Sequence, residues 1–189
     1  MRNGGGKEKG GNFEREICKK LSLWISYNER DDIFWRSAMS GGRATVGLKK
    51  GIIRNTQVGD ITAIDPLGNK LTDKYIIECK YYKNIHVESL LFGKPKNNSI
   101  LEFWTKLYEQ SEKLNKQMML IIKQNNSATL LGLTHDSNLQ KILNYEYKIK
   151  PKVIFFSLYP CPVCYLYDFE LILTALDPVV LEKEHDKIY

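Results

Sequence analysis

Long apolar runs are missing from this chain. No stretch approaches the roughly 20 residues that cross a bilayer, and residues 1–11, with five glycines and mixed charge, lack the apolar core of a signal peptide. The expected address is cytoplasmic, with no membrane partner. Histidine is scarce: His86, His135 and His185 are scattered through polar contexts, so none is assigned a catalytic role. The four cysteines, Cys18, Cys79, Cys161 and Cys164, fall in buried or strand-like contexts, and a domain of this size needs no disulfide framework. Cys161-Pro-Val-Cys164 is a single C-x-x-C pair, whereas a closed structural zinc site takes four ligands, so reduced, partly buried thiols are expected. Acidic residues are wholly absent between Arg36 and Arg54. That segment holds Arg36, Arg43, Lys49, Lys50 and Arg54 with four glycines. It is either a solvated loop or a strip that hugs a phosphate backbone, where cations release counterions and glycine permits close approach.

What is present suits one α/β domain. At 189 residues and 43% hydrophobic, the chain supports one full core. Residues 1–11 read as a flexible arm and 12–189 as the domain. The net charge of +6 suits a polyanionic partner without requiring one. Asn12 reads as an N-cap, and Phe13, Ile17, Leu21 and Trp24 recur along one face of a helix over 13–25. Glu14 falls inside that apolar arc and Glu16 outside it, beside Lys20. An inward carboxylate needs a partner, because burying an unpaired charge costs several kcal/mol.

Strands are expected over 33–38, 58–65 and 74–82. Asp65-Pro66-Leu67-Gly68-Asn69 reads as a turn joining the last two into a hairpin. Period two places Ile76, Glu78 and Lys80 on one face, and Tyr75, Ile77, Cys79 and Tyr81 on the other. Asp60 would then sit across from Glu78 and Lys80. Further along, a helix over 99–117 precedes strands at 118–123, 129–134 and 153–158, while 163–176 fits strand or helix equally. Lys141, Lys148, Lys150 and Lys152, with Tyr145 and Tyr147, form a second basic edge, solvated or DNA-contacting. Trp104 and Tyr108, at helical spacing, are expected in the core rather than stacked on bases.

Hard cations such as Mg²⁺ take oxygen ligands, often one or two carboxylates plus water and substrate phosphate. Asp60 and Glu78 meet that need, with Glu14 and the main-chain carbonyl of Cys79 as further candidates. Lys80 would orient or deprotonate a water, or offset charge developing on phosphorus. This points to Mg²⁺-dependent phosphodiester hydrolysis, with Mn²⁺ able to substitute.

The order of Glu14 on a first helix, Asp60 opening a strand and then Glu78-Cys79-Lys80 resembles the PD-(D/E)XK nuclease superfamily. More narrowly, Phe13-Glu14-Arg15-Glu16-Ile17 and Arg36-Ser37-Ala38-Met39-Ser40 resemble the helix and loop of archaeal-type Holliday junction resolvases and their phage relatives. The resemblance spans about 13–124. It implies a restriction-endonuclease-like core, a central mixed β-sheet flanked by helices. It also implies Glu14, Asp60, Glu78 and Lys80 as the catalytic set, Ser40 or else Ser37 as a loop serine that aids cleavage, and Arg36 as a DNA contact. Junction cutting by paired incisions implies a homodimer acting on branched DNA. One departure is the longer 43–58 stretch before Asp60, where compact resolvases have few residues. It leaves room for another substrate, as in a restriction-type, nicking or single-strand nuclease. A catalytically silent DNA-binding module is the alternative from a different class.

Overall fold

The structure, a computed structural model, describes residues 5–37, 58–85, 99–155 and 160–182, with residues 5–7 as backbone alone. Among these residues are helices α1 (Gly5–Ile25), α2 (Pro66–Thr72), α3 (Ile100–Leu114), α4 (Asn138–Tyr145) and α5 (Phe169–Ala175), and a 3-10 turn at Pro178–Glu182. The strands are β1 (Phe34–Arg36), β2 (Ile61–Ala63), β3 (Tyr75–Tyr82), β4 (Gln117–Gln124), β5 (Leu130–Thr134), β6 (Val153–Phe155) and β7 (Cys164–Asp168). No helix among the described residues is long and apolar enough to cross a membrane.

A five-stranded mixed sheet, in the order β3-β4-β5-β7-β6, forms the centre. Among the described strands only the neighbours β3 and β4 run parallel, with Glu78 opposite Leu120 and Tyr81 opposite Lys123. The alternation in β3 divides the core. Tyr75, Ile77 and Cys79 pack with Phe13, Ile17 and Leu21 of α1 and with residues of α4 and α5. Ile76 packs on the opposite face with Phe103, Trp104 and Leu107 of α3. This is the α/β architecture that the sequence implied, with helices on both faces of a mixed sheet. Trp104 is fully buried and donates its indole N–H to the Pro162 carbonyl at 2.7 Å, so it is core, as its spacing suggested.

Three elements differ from expectation. The first helix starts at Gly5, not after a cap at Asn12. The hairpin over 58–82 does not form: β2 pairs antiparallel with β1, while β3 pairs with β4. The supposed turn is instead a helix start, where Asp65 caps α2 by accepting from the Leu67 N–H and Pro66 occupies the first turn. Asp-Pro suits both roles, since Asx side chains cap helices and proline is preorganised for the first helical position. Over 163–176 both readings hold in succession: β7 gives way at Asp168, which caps α5 through the Leu171 N–H.

The small β1–β2 ribbon is tied to α1 through Ser22, a residue that sequence reading passed over. Its buried hydroxyl donates to the Cys18 carbonyl at 2.8 Å and accepts the N–H groups of Ile33 at 3.1 Å and Phe34 at 2.9 Å. These two backbone donors have no access to water if the oxygen is lost. Ser22→Ala is therefore expected to cost about 2 to 4 kcal/mol, the penalty of stranding buried amides. Urea unfolding with the linear-extrapolation slope unchanged would measure it.

Candidate active site at the edge of β3

Among the described residues β3 is an edge strand, with no strand partner on one side. Residues 77 and 79 turn their amides and carbonyls to that side, since successive residues of a strand hydrogen-bond in opposite directions. Asp60 covers the gap. Its N–H donates to the Ile77 carbonyl at 2.8 Å, and its Oδ2 accepts from the Cys79 N–H at 2.8 Å. The Ser37 N–H, just past β1, donates to the Asp60 carbonyl at 2.9 Å. The aspartate is thereby fixed by main-chain bonds on both sides, and it is only 5% exposed.

Gly59 makes this approach possible. Its φ is +91°, and a Cβ there would lie 2.8 Å from the Ile77 carbonyl oxygen. Any L side chain would push Asp60 off the strand.

Glu78 and Lys80 project together, as the alternation predicts, and are hydrogen-bonded to each other. Lys80 Nζ also lies 3.7 Å from Asp60 Oδ2, so one ammonium bridges two carboxylates. Glu14 reaches the same neighbourhood from α1. Arg36 Nε donates to its Oε2 at 2.6 Å, leaving the Glu14 side chain 13% exposed. A Cβ at Gly11 would meet that guanidinium at 3.2 Å, so the absent side chain gives Arg36 its berth against α1. The inward acid thus has the basic partner its burial required.

The electrostatics follow from this crowding. Burial and then the Asp60 charge raise the Glu78 carboxyl from 4.5 to about 7, against the opposing pull of Lys80. Glu14 is raised for the same reasons, with Arg36 and Lys80 offsetting only part of the effect. Burial works against the Lys80 charge, yet Glu78 and Asp60 outweigh it and hold the ammonium above its ordinary value. Three carboxylates thus face two cations, Lys80 and Arg36. The thiols take no part: burial pushes Cys18 up to about 12 and Cys79 well above the usual thiol range. Cys79 can offer the site only its main chain.

Asp60, Glu78, Lys80, Glu14 and Arg36 are therefore brought together, and the buried Ser37 stands beside Asp60 through its N–H. Ser40, Arg43, Lys49, Lys50 and Arg54 lie outside the described residues. Among the described residues, no group of three or more histidine, cysteine, aspartate or glutamate side chains is arranged to hold a metal ion. Asp60 and Glu78 are instead closed on Lys80, and Glu14 on Arg36. Cys161 and Cys164 form no disulfide and are buried against α3 and the sheet. Lys152 of the second basic edge is paired with Asp168 at 2.9 Å.

Comparison with known proteins gives the chain a family. A family model described as "Phage putative PDDEXK endonuclease" matches residues 5–179, and the chain belongs to that family. No curated protein and no solved structure matches the chain. Membership puts the chain in the PD-(D/E)XK nuclease superfamily, and the mixed sheet flanked by helices is consistent with a restriction-endonuclease-like core.

A raised carboxyl destabilises the fold when ionised. The Glu78 contribution is favourable below about 4.5 and is lost as pH rises through about 7. Glu78→Gln, which mimics the protonated form, is expected to gain about 1 to 3 kcal/mol at pH 8 in EDTA, on a scale of about 1.4 kcal/mol per pKa unit. Thermal unfolding at pH 8 and pH 4.5 checks this, and the gain should vanish at the lower pH.

Proposed function

We propose that this endonuclease-family chain is a Mg²⁺-dependent enzyme that hydrolyses phosphodiester bonds in branched DNA, four-way junctions above all, as a homodimer. The observation that carries the hydrolytic reading is the Asp60 clamp. A carboxylate is fixed by the β3 backbone at 2.8 Å while Glu78 and Lys80 project beside it.

This donor set fits a hard divalent cation. Asp60 and Glu78 would hold it, with Glu14 and the Cys79 carbonyl as further oxygens. The support is electrostatic: burial and mutual repulsion hold Glu14 and Glu78 above the usual carboxylate range, which a bound dication relieves. When bound, Mg²⁺ or Mn²⁺ supplies Lewis-acid polarisation of the phosphate and a more acidic water.

The chain's own residues do the positioning. Lys80, kept protonated by its two carboxylates, donates to a water or a phosphate oxygen and offsets charge developing on phosphorus. Because the ammonium is the favoured form, an orienting and charge-stabilising role suits it better than that of a base. Arg36 holds Glu14 and thus restrains the carboxylate nearest Asp60 on α1. Ser40, or else Ser37, assists cleavage, and Arg36, Ser37, Arg43, Lys49, Lys50 and Arg54 meet the DNA.

The junction reading rests on Glu14-Arg15-Glu16 in α1 and Arg36-Ser37 at the end of β1, both similar to the resolvase pattern. Paired incisions need two sites related by symmetry, hence the dimer. Labelled junction, flap, linear duplex and single strand, each with Mg²⁺ and with EDTA, test the reading. Symmetric nicks confined to the junction and abolished by EDTA are expected. Asp60→Asn and Glu78→Gln should each lower cleavage by roughly 10³-fold or more while junction binding persists, and Lys80→Ala by roughly 10²-fold. Equal cutting of linear duplex would move the substrate to DNA in general. Retained cleavage in both carboxylate variants would overturn the site, and binding without cleavage in either metal would make the chain a silent DNA-binding module.

A further inference from the structure

A second cluster of charge lies on the other side of Phe13 from Glu14. Around α1, at about 100° per residue, Lys9, Asn12 and Glu16 fall to one side of Phe13, and Glu14 falls to the other. Phe13 rests on Tyr81, their ring centroids 5.4 Å apart. Beside them is a surface hollow of about 320 Å³ lined by Glu8, Lys9, Asn12, Phe13, Glu16 and Tyr81. Lys9 Nζ stands 4.0 Å above the Tyr81 ring, and Lys123 Nζ stands 5.7 Å from the same ring and 5.9 Å from Phe13.

Two ammonium groups meet one aromatic ring, which offers each cation only its quadrupole. Lys9 otherwise donates to the neutral amide oxygen of Asn125. Lys123 lies 3.7 Å from Glu16 and shares that carboxylate with Lys20, which is hydrogen-bonded to it at 2.8 Å and also to Glu170 at 2.6 Å. Glu8, the other acid of the hollow, is exposed. The position also matters. Tyr81 and Lys123 are register partners near the C-terminal ends of the parallel pair β3–β4, the end at which α/β sheets receive ligands. Tyr81 follows Lys80 directly and Phe13 precedes Glu14, so on both elements the hollow lies one residue along the chain from the carboxylate cluster.

We propose that Lys9 and Lys123, seated on Tyr81, hold the phosphodiester backbone of the DNA at a second point, across Phe13 from the carboxylate cluster. The proposal rests on the endonuclease reading and adds where the strand is gripped beyond the cut site. Such a grip carries no base readout; it fixes register and contributes through counterion release.

The test is fluorescence anisotropy of labelled four-way junction with the full chain in EDTA, across a series of salt concentrations. Relative to wild type, the Lys9→Ala, Lys123→Ala double variant is expected to bind about tenfold more weakly at 0.1 M salt. The slope of log K against log salt should shrink by about 1 to 2, as for one or two lost phosphate contacts. Lys9→Arg with Lys123→Arg should keep most of the slope, and Lys113→Ala on α3 should leave it unchanged. An unchanged slope in the double alanine variant overturns the proposal, whether or not affinity falls. A wild-type chain that binds no DNA overturns the endonuclease reading itself, and the grip with it.

Discussion

The bond from the Cys79 N–H to the Asp60 carboxylate, paired with the one from the Asp60 N–H to the Ile77 carbonyl, is the constraint on which the rest of the structure depends. An edge strand presents amides and carbonyls that need partners, and here a single residue supplies both donor and acceptor at 2.8 Å. Asp60 also accepts from Ser37, so the β1–β2 ribbon is fastened to the main sheet through the same residue. Asp60 is placed by backbone geometry, not by a flexible side chain reaching inward, and a position fixed in this way is what preorganised chemistry needs.

Around that fixed point the charges are deliberately unequal. Lys80 bridges Glu78 and Asp60, and Arg36 holds Glu14. Both acids whose values are shifted still sit above their ordinary range, with burial as the first cause in each case. Pairing with cations of the chain therefore does not make the cluster comfortable. Stability is given up at the same residues on which phosphodiester chemistry would draw, the pattern of a site kept strained by its own burial.

Much of this was legible in the sequence because it rests on local periodicity. The inward turn of Glu14 follows from 100° per residue along Phe13, Ile17 and Leu21, and the joint projection of Glu78 and Lys80 follows from period two. What failed depended on tertiary partners. β2 is three residues long, too short to show which strand it pairs with, and Asp65-Pro66 reads the same as a turn or as a capped helix. The start of α1 at Gly5 was hidden because glycine weakens the helical signal, even where Gly11 makes room for Arg36. Ser22 was hidden for the opposite reason. A serine at the margin of an apolar stripe carries no signal until the two amides it accepts, Ile33 and Phe34, are folded against it.

The cysteines carry one more consequence. None of the four forms a disulfide and all are buried, and burial keeps Cys18, Cys79 and Cys164 above the usual thiol range. Oxidants and alkylating reagents act on exposed thiolates, and Cys18, Cys79 and Cys164 offer neither the exposure nor the charge. The Cys79 sulfur sits one residue from both Glu78 and Lys80, yet it faces the α1 side of the core, walled off from whatever occupies the carboxylates. The hydrolysis proposed at the β3 edge would thereby be insulated from the redox state of its surroundings, although a sulfur lies at its centre in sequence.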